Sequence, residues 1–154
     1  MQATHAILAI THALAAAAWF GAMFYSFLVL HPRAHAYFQR ETDFEAFITT
    51  VSHGARWKVL SCLGLIGITG VGLMAVHWWQ PRQEAWLPLI CAKVALLLAA
   101  GVLFVYTSWR LWPARVLATV DEIPRFQRVF RWVAAVMMGI AGLGIALGIV
   151  AHAF

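Results

Sequence analysis

The sequence predicts an all-α, polytopic membrane protein whose single domain, residues 1–154, is a four-helix transmembrane bundle. Of its residues, 63% are hydrophobic and 11% are charged, and its mean hydropathy is +0.79, whereas soluble domains carry about 25% charged residues. Four apolar runs exceed the ~20 residues that cross a bilayer, at about 4–30, 57–79, 85–109 and 129–151. Because lipid offers no hydrogen-bond partners to the backbone, each run is expected to be a helix.

The distribution of basic residues predicts the orientation of these helices. Nine lysines and arginines flank the first and third connections, and only Arg82 lies in the second. By the positive-inside rule, the first and third connections face the cytoplasm. Both termini then face the periplasm, the path is up-down-up-down, and the expected location is the inner membrane of a bacterium. The same clustering explains the net charge of +5 without nucleic-acid binding.

The ends of the first run favour a retained helix over a cleaved signal peptide. The run has no basic segment before it, and it ends in His31-Pro32-Arg33 instead of a small-residue cleavage site. It is therefore expected to remain as the first transmembrane helix.

The first connection is expected to hold a short amphipathic helix over about 42–52, lying on the cytoplasmic interface. Its apolar residues fall at helical spacing, and Thr42-x-x-Glu45 matches a capping box. The apolar positions are Phe44, Phe47, Ile48 and Val51.

The two cysteines are not expected to form a disulfide bond. Cys62 belongs near the cytoplasmic end of the second helix, and Cys91 near the outer end of the third. At ~1.5 Å per residue their heights differ by roughly 20 Å, well beyond the Cα separation of about 7 Å that a disulfide tolerates.

Lys93 is the only charged side chain in the third apolar run, and at that depth a lysine costs about 2.5–3.5 kcal/mol on insertion scales. Counting from the cytoplasmic helix ends at ~1.5 Å per residue brings His12, Met74 and His77 to within about one turn of its level. No carboxylate lies inside the runs, which favours an anionic or electron-rich ligand. The alternative is that Lys93 extends to the outer interface, and an interfacial role is also expected of His5 and His152.

Two kinds of cofactor fit these residue types. Imidazole with thioether or thiolate suits copper, for which the candidate ligands are His12, Met74, His77 and Cys91. Two imidazoles also suit haem b in a bundle core; His12 and His77 would then bind the cofactor, with Lys93 beside a propionate or acting as a proton carrier. A further cluster of His31, His35 and His53 fits either a second site or solvated interface residues.

The first helix, His12-x6-Trp19-Phe20-Gly21-Ala22-Met23-Phe24, ending in Val29-Leu30-His31-Pro32, resembles that of the copper-resistance D (CopD-like) membrane family. Later blocks, Thr69-Gly70 and Cys91-Ala92-Lys93-Val94-Ala95-Leu96, are similar to that family too. The resemblance implies a four-helix inner-membrane core associated with copper uptake or tolerance.

A second resemblance is to the HemJ-type protoporphyrinogen oxidases, which have a histidine in the first helix and a lysine in the third and are associated with haem b. Carried over, these positions are His12 and Lys93, and Lys93 would then be catalytic. The chain lacks that group's Leu-Pro-Arg segment, and Asp121-Glu122-Ile123-Pro124 only partly matches its Asn-Glu-x-Pro motif.

Three functions are therefore expected, in this order. The first is a copper-handling protein that binds or takes up the metal near the periplasmic face, with a periplasmic copper donor as partner. The second is a haem b redox protein with a membrane redox partner. Oxidation of a porphyrinogen would make it an enzyme, and the sequence leaves that question open. The third is an accessory subunit of a larger membrane complex. In each case the protein lies in a lipid bilayer, and a homo-oligomer is compatible with all three functions.

Overall fold

The computed structural model describes residues 2–76 and 86–151, and within them the chain is helical with no strand. Two five-residue π-helical turns, Ser26–Leu30 and Thr107–Leu111, each join two α-helices end to end. The α-helices are α1 (Gln2–Tyr25), α2 (His31–Tyr37), α3 (Glu41–Val51), α4 (Ala55–Val76), α5 (Trp86–Tyr106), α6 (Trp112–Val116) and α7 (Ile123–Ala151).

Four continuous helical segments are long and apolar enough to cross a membrane, which confirms the all-α, polytopic bundle. These spans are Gln2–Tyr37, Ala55–Val76, Trp86–Val116 and Ile123–Ala151. The first and third continue seven residues beyond the ends expected from hydropathy, and the fourth begins six residues earlier. The expected end of the second span, at 77–79, lies outside the described residues.

The π-helical turns explain why the first and third spans run past a proline. A proline inside an α-helix clashes with the carbonyl four residues earlier and has no N–H to donate. Just before each proline, the backbone N–H bonds to the carbonyl five residues earlier instead of four. The His31 N–H bonds to the Ser26 carbonyl, and the Trp112 N–H bonds to the Thr107 carbonyl. The helix therefore continues through Pro32 and Pro113 where the hydropathy pattern predicted an end.

The spans pack as two helix pairs around one core. α1 packs most extensively against α4 and α5 against α7, while α1 also meets α7 and α4 meets α5. Many of the remaining apolar side chains are exposed, as a lipid-facing surface requires. The buried core residues are Ala15, Trp19, Leu63, Ile66, Ala100, Met137 and Ala141.

The amphipathic helix in the first connection is present as α3, and its apolar side is buried. Phe44 and Ile48 are 3% and 2% exposed and pack on Ala34 of α2. Gly54, with a φ of +72°, makes the turn from α3 into α4, in the left-handed region that favours glycine. We call this end of the bundle the α3 end and the opposite one the His12 end.

The prediction of a capping box at Thr42 is wrong. Arg40 occupies the N-cap position of α3 without a side-chain cap, and Glu45 pairs with Arg115. A Thr-x-x-Glu contact forms instead before α7, where the backbone N–H and hydroxyl of Thr119 both donate to Glu122 Oε2 at 3.0 Å. Thr119-x-x-Glu122 has the same Thr-x-x-Glu spacing as Thr42-x-x-Glu45, so the spacing alone did not show which of the two forms the contact.

Candidate functional site

His12 lies on the side of α1 that faces α4, where a hydroxyl fixes its imidazole. Its Nδ1 is 3.0 Å from Thr69 Oγ1, and that hydroxyl donates to the Leu65 carbonyl at 2.6 Å. Because a hydroxyl has one hydrogen, Thr69 accepts from Nδ1–H of His12. The lone pair of the neutral imidazole is then on Nε2, the nitrogen that this contact leaves available.

Glycine shapes the surroundings of this imidazole. A Cβ placed on Gly70 would lie 3.5 Å from His12 Cε1, so the ring packs directly against the backbone of α4. Thr69 is 4% exposed, and His12 itself is partly buried. The ring is thus held between its hydrogen bond and the helix surface.

Lys93 lies on α5 and directs its ammonium onto α7. Its Nζ is 3.1 Å from where a Cβ on Gly148 would be, and its side chain is partly buried. None of the six acidic residues of the chain falls in any of the four spans. The bundle therefore holds an imidazole fixed against α4 and, on α5, a cation that no carboxylate of the spans neutralises.

The other residues predicted as ligands are Met74, Cys91 and His77, and in the described part of the chain no hydrogen bond joins Met74 or Cys91 to His12 or Lys93. Met74 is partly buried on α4, one turn beyond Gly70 on the same face. Cys91 is exposed; two residues from Lys93, it points to the opposite side of α5 and away from that ammonium. His77 and His152 lie outside the described residues. Within 2–76 and 86–151, no three His, Cys, Asp or Glu side chains gather as a metal site.

The histidines at the α3 end have separate partners. His35 Nε2 is 3.3 Å from Glu41 Oε1, and both His31 and His35 meet the ring of Phe44 edge-on. His53 is exposed. The described residues thus hold two of these imidazoles in the packing of α2 on α3.

A buried ion pair at the α3 end was not predicted. Arg115 donates from Nε and Nη2 to the two carboxylate oxygens of Glu45 at 2.8 and 2.9 Å, and its side chain is 4% exposed. Gln127 of α7 donates to Glu41 and Glu45 at 2.7 and 3.1 Å. Glu45 stands among the apolar positions of α3, but its partner is 70 residues away, a separation that no local pattern reveals.

The hydrogen bond between Thr69 and His12 was not predicted from the sequence. Thr69 and Ser61 are the two hydroxyl residues of the second apolar run, and Thr69-Gly70 is part of the family resemblance. The pairing of Thr69 with His12 nevertheless depends on how α1 packs on α4.

Comparisons of the chain with models of protein families, with curated proteins and with solved structures found no match.

Proposed function

We propose that this multi-pass membrane protein binds a redox-active metal cofactor through Nε2 of His12, with haem b as the first candidate. The hydrogen bond from His12 Nδ1–H to Thr69 carries the proposal. A metal-ligating histidine usually donates its other N–H to a polar partner, which fixes the tautomer and the direction of the ring. In an apolar span, a threonine that accepts this bond leaves one imidazole nitrogen ready for a metal.

The position of Lys93 favours haem over a bare cation. If Lys93 faces the ligand of His12, its ammonium opposes the binding of a bare metal cation, and the spans hold no carboxylate to offset it. Haem b brings two carboxylates of its own. His12 would hold the iron and Lys93 a propionate, while Gly70 and Gly148 make room for these two side chains against α4 and α7.

Copper handling is the second candidate, and Met74 is the observation that favours it. Its thioether lies on the face of α4 that carries Gly70, one turn from the contact with His12. Imidazole with thioether suits Cu(I), and His77 would be a third ligand. Cys91 is omitted from this set because it is exposed on the far side of α5 from Lys93.

The decisive experiment is a visible spectrum and an elemental analysis of protein purified from cells supplied with both haem and copper. Haem in stoichiometric amount, lost in His12→Ala and kept in His53→Ala, supports the first candidate. His53 is the matched control because it is an exposed histidine at the other end of the bundle. Bound copper that is lost in both His12→Ala and Met74→Ala supports the second candidate.

Thr69 variants separate a ligand role of His12 from a packing role. Thr69→Val removes the acceptor and keeps the shape, and we expect it to weaken cofactor affinity about 10- to 100-fold, whereas Thr69→Ser retains it. Protein that holds neither haem nor copper, with no effect of His12→Ala or Lys93→Ala, would overturn both candidates. The chain would then fit an accessory subunit of a larger complex.

A further inference from the structure

The first and third spans have the same interrupted construction. Each runs as an α-helix, passes through a five-residue π-helical turn, and continues through a proline at the second position of the next helix. Thr107 follows Ser26 by 81 positions, and Pro113 follows Pro32 by the same 81. A π-helical turn is rare, so two in the same register point to a repeated unit.

The buried positions of these spans follow the same register. Trp19 is 6% exposed and Ala100, 81 positions later, is 0% exposed. Ala34 and Arg115, again 81 positions apart, are 8% and 7% exposed. The two spans therefore turn equivalent faces to the interior along most of their length. At this spacing, the position equivalent to His12 is Lys93.

The second and fourth spans correspond as well, at a spacing of 78. Leu63 and Ala141 are both buried in the core. Gly70 receives the His12 ring and Gly148 receives the Lys93 ammonium. The spacing differs from 81 because the connections differ: the first hairpin breaks at Gly54 into α3 and α4, whereas α7 is continuous.

The helix contacts have the symmetry that such a repeat requires. α1 pairs with α4 and α5 pairs with α7, while α1 meets α7 and α4 meets α5 between the pairs. Exchanging the two hairpins leaves this pattern unchanged. It places α1 and α5 across the bundle from each other, on either side of an axis along the bundle.

We infer that the bundle is two copies of one helix hairpin, 2–76 and 86–151, and that Lys93 is the counterpart of His12 facing the same ligand across their two-fold axis. The identity of this ligand rests on the proposed function. One hairpin supplies a metal-ligating nitrogen and the other a cation. The ligand class that satisfies both is a metal complex with a pendant carboxylate, its metal on the α1 side and its carboxylate on the α5 side.

The residue before each glycine explains why the two hairpins differ. Thr69 precedes Gly70 and holds the imidazole, whereas Leu147 precedes Gly148 and has no hydroxyl. An imidazole at position 93 would lack the hydroxyl that fixes the tautomer of His12. A lysine there places its ammonium against the backbone of α7 at Gly148.

The test rebuilds the first hairpin's site in the second, by combining Lys93→His with Leu147→Thr in the full chain in detergent micelles. Zn²⁺ is the probe, because two imidazoles that face one volume bind it whatever the natural ligand is. We expect metal-stripped double variant to bind Zn²⁺ about tenfold or more tightly than wild type. Adding His12→Ala should abolish the gain.

The matched control combines Lys93→His with Ile149→Thr, which puts the hydroxyl on an exposed position beside Gly148 and should give a smaller gain. A gain that survives His12→Ala would overturn the inference, as would no gain in a variant that keeps the wild-type circular dichroism and unfolding midpoint. Lys93→His alone serves if the double variant does not fold. A third outcome separates the two proposals. If the wild-type protein binds neither haem nor copper, but the double variant gains Zn²⁺ affinity that depends on His12, the proposed function is overturned and the shared axis remains supported.

Discussion

Arg56 donates a 2.6 Å hydrogen bond from Nη2 to the carbonyl oxygen of Ser108, an acceptor that has lost its helical donors. The Trp112 N–H bonds to Thr107, and Pro113 has no N–H. The guanidinium also lies 4.4 Å from the centre of the Trp109 ring. Arg56, at the start of α4, thus satisfies the carbonyl that the π-helical turn of the third span leaves open.

Replacing Arg56 with alanine should destabilise the bundle by about 1.5–3 kcal/mol, the range for a hydrogen bond that involves a charged group. The denaturant midpoint of unfolding in micelles measures this change. Lys58→Ala is the matched control, since it removes an exposed basic residue two positions away in α4. Equal losses in both variants would contradict the assignment.

Pro113→Ala tests the cause of this bond. An alanine restores an N–H that can bond to the helix carbonyls, so Arg56→Ala should cost less in the Pro113→Ala background than in wild type. A double-mutant cycle measures the difference. A coupling energy of zero would show that Arg56 acts without reference to the proline.

Glu45→Ala should cost about 3–5 kcal/mol, because it leaves the buried guanidinium of Arg115 without its carboxylate. Combining Glu45→Leu with Arg115→Met should recover much of this loss, since no buried charge then remains. Chemical unfolding of the full chain is the measurement. Asp43→Ala is the control, on an exposed position of the same helix; a double variant less stable than Glu45→Ala would refute the prediction.

Gly148→Ala and Gly144→Ala should differ in cofactor affinity but not in their ability to fold. An added Cβ at position 148 meets the flexible end of Lys93 at 3.1 Å, while at position 144 it meets no atom of residues 2–76 or 86–151 within 4 Å. Both variants should fold, with a helix-propensity gain of up to ~1 kcal/mol. Only Gly148→Ala should raise the cofactor Kd, by about tenfold, as expected when a charge-assisted hydrogen bond worth about 1.5 kcal/mol is lost. Titration of metal-stripped protein with haem measures it, and equal Kd values would argue against ligand contact by Lys93.

Hydrogen bonds from the Thr119 N–H and hydroxyl, with a smaller effect of Arg125, hold the pKa of Glu122 below its usual 4.5. A depressed carboxyl pKa stabilises the fold above the pKa of the unfolded chain, and the contribution disappears as pH falls through the folded value. Thr119→Ala should raise the pKa part of the way back, because the backbone N–H remains, whereas Thr119→Ser should not. A carboxyl-carbon NMR titration decides; an unchanged pKa in Thr119→Ala would count against the contact.

The sequence predicted helix type and number well, and helix ends poorly. Apolar runs of sufficient length must be helices in lipid, so the four spans followed from hydropathy. Their ends at Pro32 and Pro113 did not, because the π-helical register that admits a proline leaves no mark on hydropathy. The same limit applied to α3: its apolar spacing was visible, but the partner of Glu45 was not.

For the candidate site, counting residues along each helix brought His12 and Lys93 to one level, since the rise per residue is fixed. Direction around the helix could not be counted in this way. Cys91 belonged to the same level as Lys93, and the packing of α5 leaves it exposed.

The sequence by itself determined that this chain has four helices able to cross a membrane, and it predicted that an imidazole and an ammonium share a depth, because both follow from composition and helical rise. Only the tertiary structure decided that Thr69 holds the imidazole, that Gly148 receives the ammonium, and that the two hairpins are equivalent. Those relationships depend on which helix faces pack together, and packing is settled by side-chain shapes on four separate segments at once.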